Sequence, residues 1–155
     1  MTAVLTAVLT VLALLAGGIT AGVLFCVALS VVPTFLRLPA DRYVEVHRLI
    51  GRNYDPTMPL TVLSGAVTDI VLAALGQRAA AQVLWGAAGA LLLGVSCVSH
   101  LANVPLNRAV KALPEGPVPA DWHDPRRRWR AWNLLRTGLA VAALAANAAA
   151  AVLAH

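Results

Sequence analysis

Four stretches of this sequence are each long and apolar enough to cross a lipid bilayer. Met1–Val32 is nearly unbroken, Met58–Leu75 carries one charge (Asp69), Val83–Ala102 carries none, and Ala131–Leu153 carries only Arg136. About 20 apolar residues suffice for a helix to span the hydrocarbon core. The chain is 59% apolar and 12% charged, far below the roughly 25% charge of soluble domains. These runs predict an all-α protein, a four-helix transmembrane bundle forming a single domain over residues 1–155. The spans are expected near 10–32, 58–76, 83–103 and 130–153. The first run is longer than a span needs, so its start projects or bends at Gly17-Gly18. It has no basic leading segment and is too long for the apolar core of a signal peptide.

Charge sets the orientation. Ten of the twelve Lys and Arg residues fall in two segments. Arg37, Arg42, Arg48 and Arg52 lie between spans one and two. Arg108, Lys111, Arg126, Arg127, Arg128 and Arg130 lie between spans three and four. With four spans these two connectors share one face, which the positive-inside rule assigns to the cytoplasm, with both termini outside. An integral protein of a bacterial plasma membrane is the expectation. No nucleic-acid motif accompanies the basic residues, so nucleic acid is not an expected partner; membrane lipids are, and homo-oligomerisation stays open.

The first basic connector is more than a linker. In "LPADRYVEVHRLIGRNYDP", Pro39 and Asp41 are start signals and Gly51 a stop. Tyr43, Val46, His47 and Ile50 recur at helical spacing, with Asp41, Arg42, Glu45, Arg48 and Arg52 mostly opposite. This predicts a short amphipathic helix lying on the membrane or capping the bundle, with His47 facing the bundle. The second connector, "KALPEGPVPADWHDPRRR", has four prolines and reads as irregular until about Arg126.

Span three ends unusually, in "SHLANVPLNRAV". His100, Asn103 and Asn107 are spaced i, i+3, i+7 and share a face on a continuing helix. Pro105 lacks an N–H and disturbs the turn before it, predicting a bent or ended helix. Span four opens with "RRRWRAWNLLRTG". Trp129 and Trp132 suit an interfacial aromatic belt. Arg136 lies two turns further in, where a cation is costly without a partner or a wet cavity. It either snorkels to the headgroups or finds acceptors, for which Asn103 and Asn107 are the natural candidates. Asp69 is the only acid within a span and a functional candidate on that ground. Thr20 and Asn147, at comparable depth, are its candidate partners. Cys26 and Cys97 lack a Cys-x-x-Cys arrangement and read as small buried residues. A metal would need His47, His100, His123 and Asp55 to converge, and no metal-ligand spacing pairs them.

"NVPLN", followed after a basic connector by "RWRAWNLLRT", resembles the anthrone-oxygenase-like family of small four-helix membrane proteins, and the resemblance covers nearly the whole chain. It implies oxidation of an anthrone to an anthraquinone by molecular oxygen in polyketide biosynthesis, with oxygen as co-substrate and no other cofactor. It carries over to Asn103, Pro105, Asn107, Trp132, Asn133 and Arg136. The implied site lies at the cytoplasmic end of the bundle. There His47, a candidate from the amphipathic helix and not from the resemblance, is the base, Arg136 with Asn103 or Asn107 stabilises an enolate oxygen, and Trp132 stacks on a flat hydrophobic substrate. Asn133, Trp129, His100 and Asp69 complete the candidate binding residues. The competing class is a non-enzymatic membrane protein, a small transporter subunit or assembly partner, which needs polar residues through the full membrane depth.

Overall fold

The computed structural model describes residues 3–50, 54, 56–114, 116–119 and 121–154. The described residues contain five helices: α1 (Ala3–Arg37), α2 (Ala40–Ile50), α3 (Thr57–Leu75), α4 (Ala79–Lys111) and α5 (Arg126–Leu153). Four of them are long and apolar enough to cross a membrane, and the fold is a four-helix transmembrane bundle with a short amphipathic helix between the first two spans. Around the bundle, α1 packs on α3 and α5, and α4 packs on the same two, so α1 and α4 face each other diagonally.

Close packing comes from small side chains, as expected where no water drives helices together. Ala21, Ala66, Ala140 and Ala143 sit in the central cluster with Leu24, Val62, Leu92 and Val95. At Gly65 a Cβ would meet Leu92 Cδ1 at 3.0 Å and Ala16 Cβ at 3.1 Å, so α1, α3 and α4 approach closely there and a larger residue would require a neighbour to give way. Large apolar side chains such as Leu12, Val67, Val83 and Leu101 point outward, as lipid permits. Cys26 and Cys97 are also on this outer surface, unbonded to each other. They are therefore not the buried packing residues their size suggested.

Of the two outcomes expected at Pro105, a bent or an ended helix, the second does not occur. The helix runs on to Lys111 by way of a π turn at Ser99–Asn103, in which the Val104 N–H reaches back to the Ser99 carbonyl. α1 does the same before Pro33, with a π turn at Val27–Val31 and the Val32 N–H on the Val27 carbonyl. A proline ring collides with the carbonyl four residues back and offers no N–H. Widening the preceding turn by one residue moves that carbonyl aside, and the helix continues.

At this end α2 lies over the bundle and buries Tyr43, Val44 and His47. They join Val32 and Phe35 of α1, Val110 of α4 and Trp129 of α5. Two arginines lock the arrangement. Arg126, in the first turn of α5, donates from Nη1 to the carbonyls of Phe35 at 2.8 Å and Leu38 at 2.6 Å, while its Nε is held by Asp124. Those carbonyls are end groups of α1 that have no partner within the helix. Arg48 of α2 donates to the Leu113 carbonyl beyond α4. The stop signal at Gly51 lies outside the described residues.

Candidate functional site

α3 begins only at Thr57, whereas α1 and α4 continue past its start. The space above that start, roofed by α2, is a cavity of about 470 Å³. Its volume is within the usual range for small-molecule sites. Val23, Val27, Val31, Val62 and Val95 supply apolar wall, and both π turns line it. His47, His100, Asn103, Asn107, Trp129 and Arg136 all reach this cavity.

The polar groups inside it are poorly satisfied by the protein. Asn103 is 1% exposed, and neither its amide oxygen nor its amide nitrogen has a partner. Buried amides are normally hydrogen-bonded, because leaving them bare costs free energy. Arg136 donates from Nη1 to Ser99 Oγ at 3.1 Å, and its Nε has no partner. The anticipated bond to an amide of the Asn-Val-Pro-Leu-Asn segment is replaced by this serine bond. The π turn carries Ser99 to the arginine, and Asn103 is left facing the cavity. Ser99 Oγ itself donates to the Val95 carbonyl at 2.7 Å, so its lone pairs are aimed at the guanidinium.

His47 is 6% exposed and its Nδ1 has no partner. Burial lowers its pKa from 6.5 to about 4; the charge of Lys111 adds to this, and a hydrogen bond with Asn107 opposes it. The imidazole is therefore neutral across the ordinary pH range rather than poised near its midpoint, which corrects the reading from its free pKa. Phe35, Tyr43 and Trp129 surround the ring at centroid distances of 5.6, 5.3 and 6.0 Å. Asn107 ties the group together by accepting from Trp129 Nε1 at 3.0 Å. His100 is exposed toward the cavity, with Nδ1 2.9 Å from the Ser96 carbonyl. A carbonyl can only accept, so Nδ1 is the donor in this contact.

Three candidates are not at the cavity. Trp132 and Asn133 do not line it; Asn133 is fully buried with both amide atoms unpartnered. Asn133 belongs to the buried stripe of α5 with Trp129, Thr137 and Ala140 but stays outside the cavity lining, and Trp132 lies off that stripe. The aromatic wall is thus Trp129, not Trp132, and the belt reading of Trp129 gives way to a buried role. Asp69 does not line the cavity either. Its Oδ2 accepts from Asn147 Nδ2 at 3.4 Å in the bundle interior, and Thr20 takes no part. Ser99, Arg108 and Lys111 are cavity residues that the sequence reading left unassigned. Among the described residues no three of His, Cys, Asp and Glu cluster as metal ligands would, and Asp55 lies outside those residues.

A four-span helical membrane protein with a capped, polar-lined cavity at one end is the class these features define. The chain belongs to the anthrone oxygenase family, whose model matches residues 47–146, a stretch that begins at His47 and includes Arg136. No curated protein and no solved structure matches the chain.

Proposed function

We propose that the protein is a membrane-boundary oxygenase acting on a flat, hydrophobic aromatic ketone of the anthrone type, with molecular oxygen as co-substrate and no other cofactor. The observation that carries this reading is the cavity itself. It places an unpartnered amide at Asn103, an unpartnered Nε at Arg136 and an unpartnered imidazole nitrogen at His47 around one apolar space. Such groups are what an enolising substrate would satisfy.

In this reading the substrate ketone accepts from Arg136 and Asn103, which stabilise the oxyanion as it forms. His47 takes a proton from the activated methylene; its neutral state keeps the lone pair available, and burial shields it from water. The resulting carbanion, delocalised as the enolate, adds oxygen at carbon to give a hydroperoxide once protonated. Loss of water from that hydroperoxide leaves a new ketone. One oxygen atom enters the product, the other leaves as water, and the methylene gives up both hydrogens. Trp129 and Phe35 supply the flat walls. Asp69 and its Asn147 partner serve as an interhelical clamp away from this chemistry. A polar site confined to one end supports an enzyme over a transporter, which would need a polar path through the bundle. The arginine-rich end, where the cavity lies, is read as cytoplasmic.

The test is oxidation of anthrone by protein purified in mild detergent. Anthraquinone should form with consumption of one O₂ per product. A rate no greater than that of an Arg136→Gln, Asn103→Leu double variant would overturn the proposal.

A further inference from the structure

A neutral imidazole has one N–H and one nitrogen with a free lone pair, and only the second can take a proton. At His47 the neighbours decide which is which. Trp129 Nε1 donates to the Asn107 side chain at 3.0 Å. An indole nitrogen only donates, so the atom it meets is the amide oxygen, and the orientation of the Asn107 amide is settled by its partner. Asn107 also makes a hydrogen bond with the His47 side chain. His47 Nδ1 is buried without a partner, so that bond runs through Nε2. The His47 and Trp129 rings stand edge to face with centroids 6.0 Å apart, which suits two ring N–H groups converging on one oxygen.

Two placements of the ring proton compete. With the proton on Nε2, Asn107 Oδ1 accepts from both rings, as its two lone pairs allow, and the bare atom left on His47 is an acceptor. With the proton on Nδ1, a buried N–H is left with no acceptor, which costs the desolvation of a donor, and Nε2 must take its bond from the Asn107 amide nitrogen. That nitrogen is not one of the buried atoms left without a partner, so nothing draws it to the imidazole. The bond with Asn107 also favours the protonated ring, as an acceptor does and a donor does not.

Resting on the reading of His47 as the base, we propose that Asn107 is a positioning residue, whose oxygen holds the Nε2 proton of His47 and leaves the lone pair on Nδ1 as the basic atom. Asn107 acts through the imidazole, as a third group orients the base in other proton-transferring sites, and Trp129 pins its amide in turn. The three residues belong to α2, α4 and α5, so the tautomer depends on how the cap helix sits on the bundle.

Nitrogen-15 NMR of histidine-labelled protein in detergent near neutral pH tests this, because the two-bond proton–nitrogen correlations of a neutral ring differ between its Nε2–H and Nδ1–H forms. The His47→Gln spectrum assigns the signals. Native His47 should be in the Nε2–H form. Asn107→Leu, which removes the acceptor at little change in volume, should show both forms and oxidise anthrone about tenfold more slowly, the size of one neutral hydrogen bond. Asn107→Asp keeps an oxygen for each donor, so it should retain the Nε2–H form and recover most of the rate lost in the leucine variant. An Nδ1–H ring in the native protein overturns the proposal, and so does a native tautomer that persists in Asn107→Leu. Where a variant does not fold, the native spectrum decides alone. Turnover separates this inference from the proposed activity. If anthrone is oxidised by a protein whose His47 is in the Nδ1–H form, the role of Asn107 falls and the oxygenase reading stands. If the Nε2–H form is present, is lost in Asn107→Leu, and no anthrone is oxidised, the reverse holds.

Discussion

Asn103 separates stability from activity more cleanly than any other residue. Its amide is buried and bare, so replacing it with leucine removes two unsatisfied polar atoms at little change in volume. Asn103→Leu should melt no lower than the native protein, and higher if the pocket stays closed. Its oxidation rate should drop about 10²–10³-fold, the usual loss for one oxyanion donor. A melting point several degrees lower would show that the amide is structural. His47 makes a complementary case. His47→Gln should lower turnover about 10²–10⁴-fold. Because burial holds the folded imidazole near 4 while the unfolded one titrates at 6.5, the unfolded chain binds the extra proton between those values. Native stability should therefore be full above pH 6.5 and decline as the pH falls toward 4. A thermal-shift series in detergent should show that decline in the native protein and a flatter profile in His47→Gln.

At the scale of elements, hydropathy alone located the four spans, and helical periodicity located α2, because lipid and the bundle impose those patterns directly. The candidate site was legible as a set of residues but not as a set of bonds. Arg136 stood out because a charge within an apolar run must be explained. That its partner is Ser99 depends on a widened turn that no residue pattern announces, since proline more often stops a helix than passes through one. The choice of Trp129 over Trp132 likewise depends on how α5 is rotated. The Arg126 clamp was hidden because its acceptors are backbone carbonyls, which leave no mark in a sequence. That clamp gives a prediction of its own. Arg126→Gln loses the bonds to the Phe35 and Leu38 carbonyls and to Asp124. It should destabilise the protein by about 1–3 kcal/mol, the range for hydrogen bonds involving a charged group at a partly exposed site. Proteolysis should become faster in the second connector before it does in the spans, and uniform cleavage would count against a local role.

For the whole molecule, the arginine-rich end and the cavity coincide, so the proposed topology places the substrate's access on the cytoplasmic side. With Cys26 and Cys97 replaced by alanine, a cysteine at exposed Gln77 should react with an impermeant maleimide added to intact cells, and a cysteine at Arg127 should react only after permeabilisation. The opposite pattern would invert the orientation. The π turns before Pro33 and Pro105 have a consequence at this scale as well. Each inserts one residue between the part of a helix that answers to lipid and the part that answers to the ligand, and one residue is about 100° of helical rotation. They act as phase shifters. Replacing Pro105 by alanine, which lets the α4 turn close to an ordinary α turn, would leave the span's hydropathy almost untouched, yet it would swing Asn107, Arg108 and Lys111 round the axis and away from the cavity. In this fold the membrane anchor and the binding face are kept in step by a count of residues, and a change invisible to any hydropathy profile is enough to put them out of step.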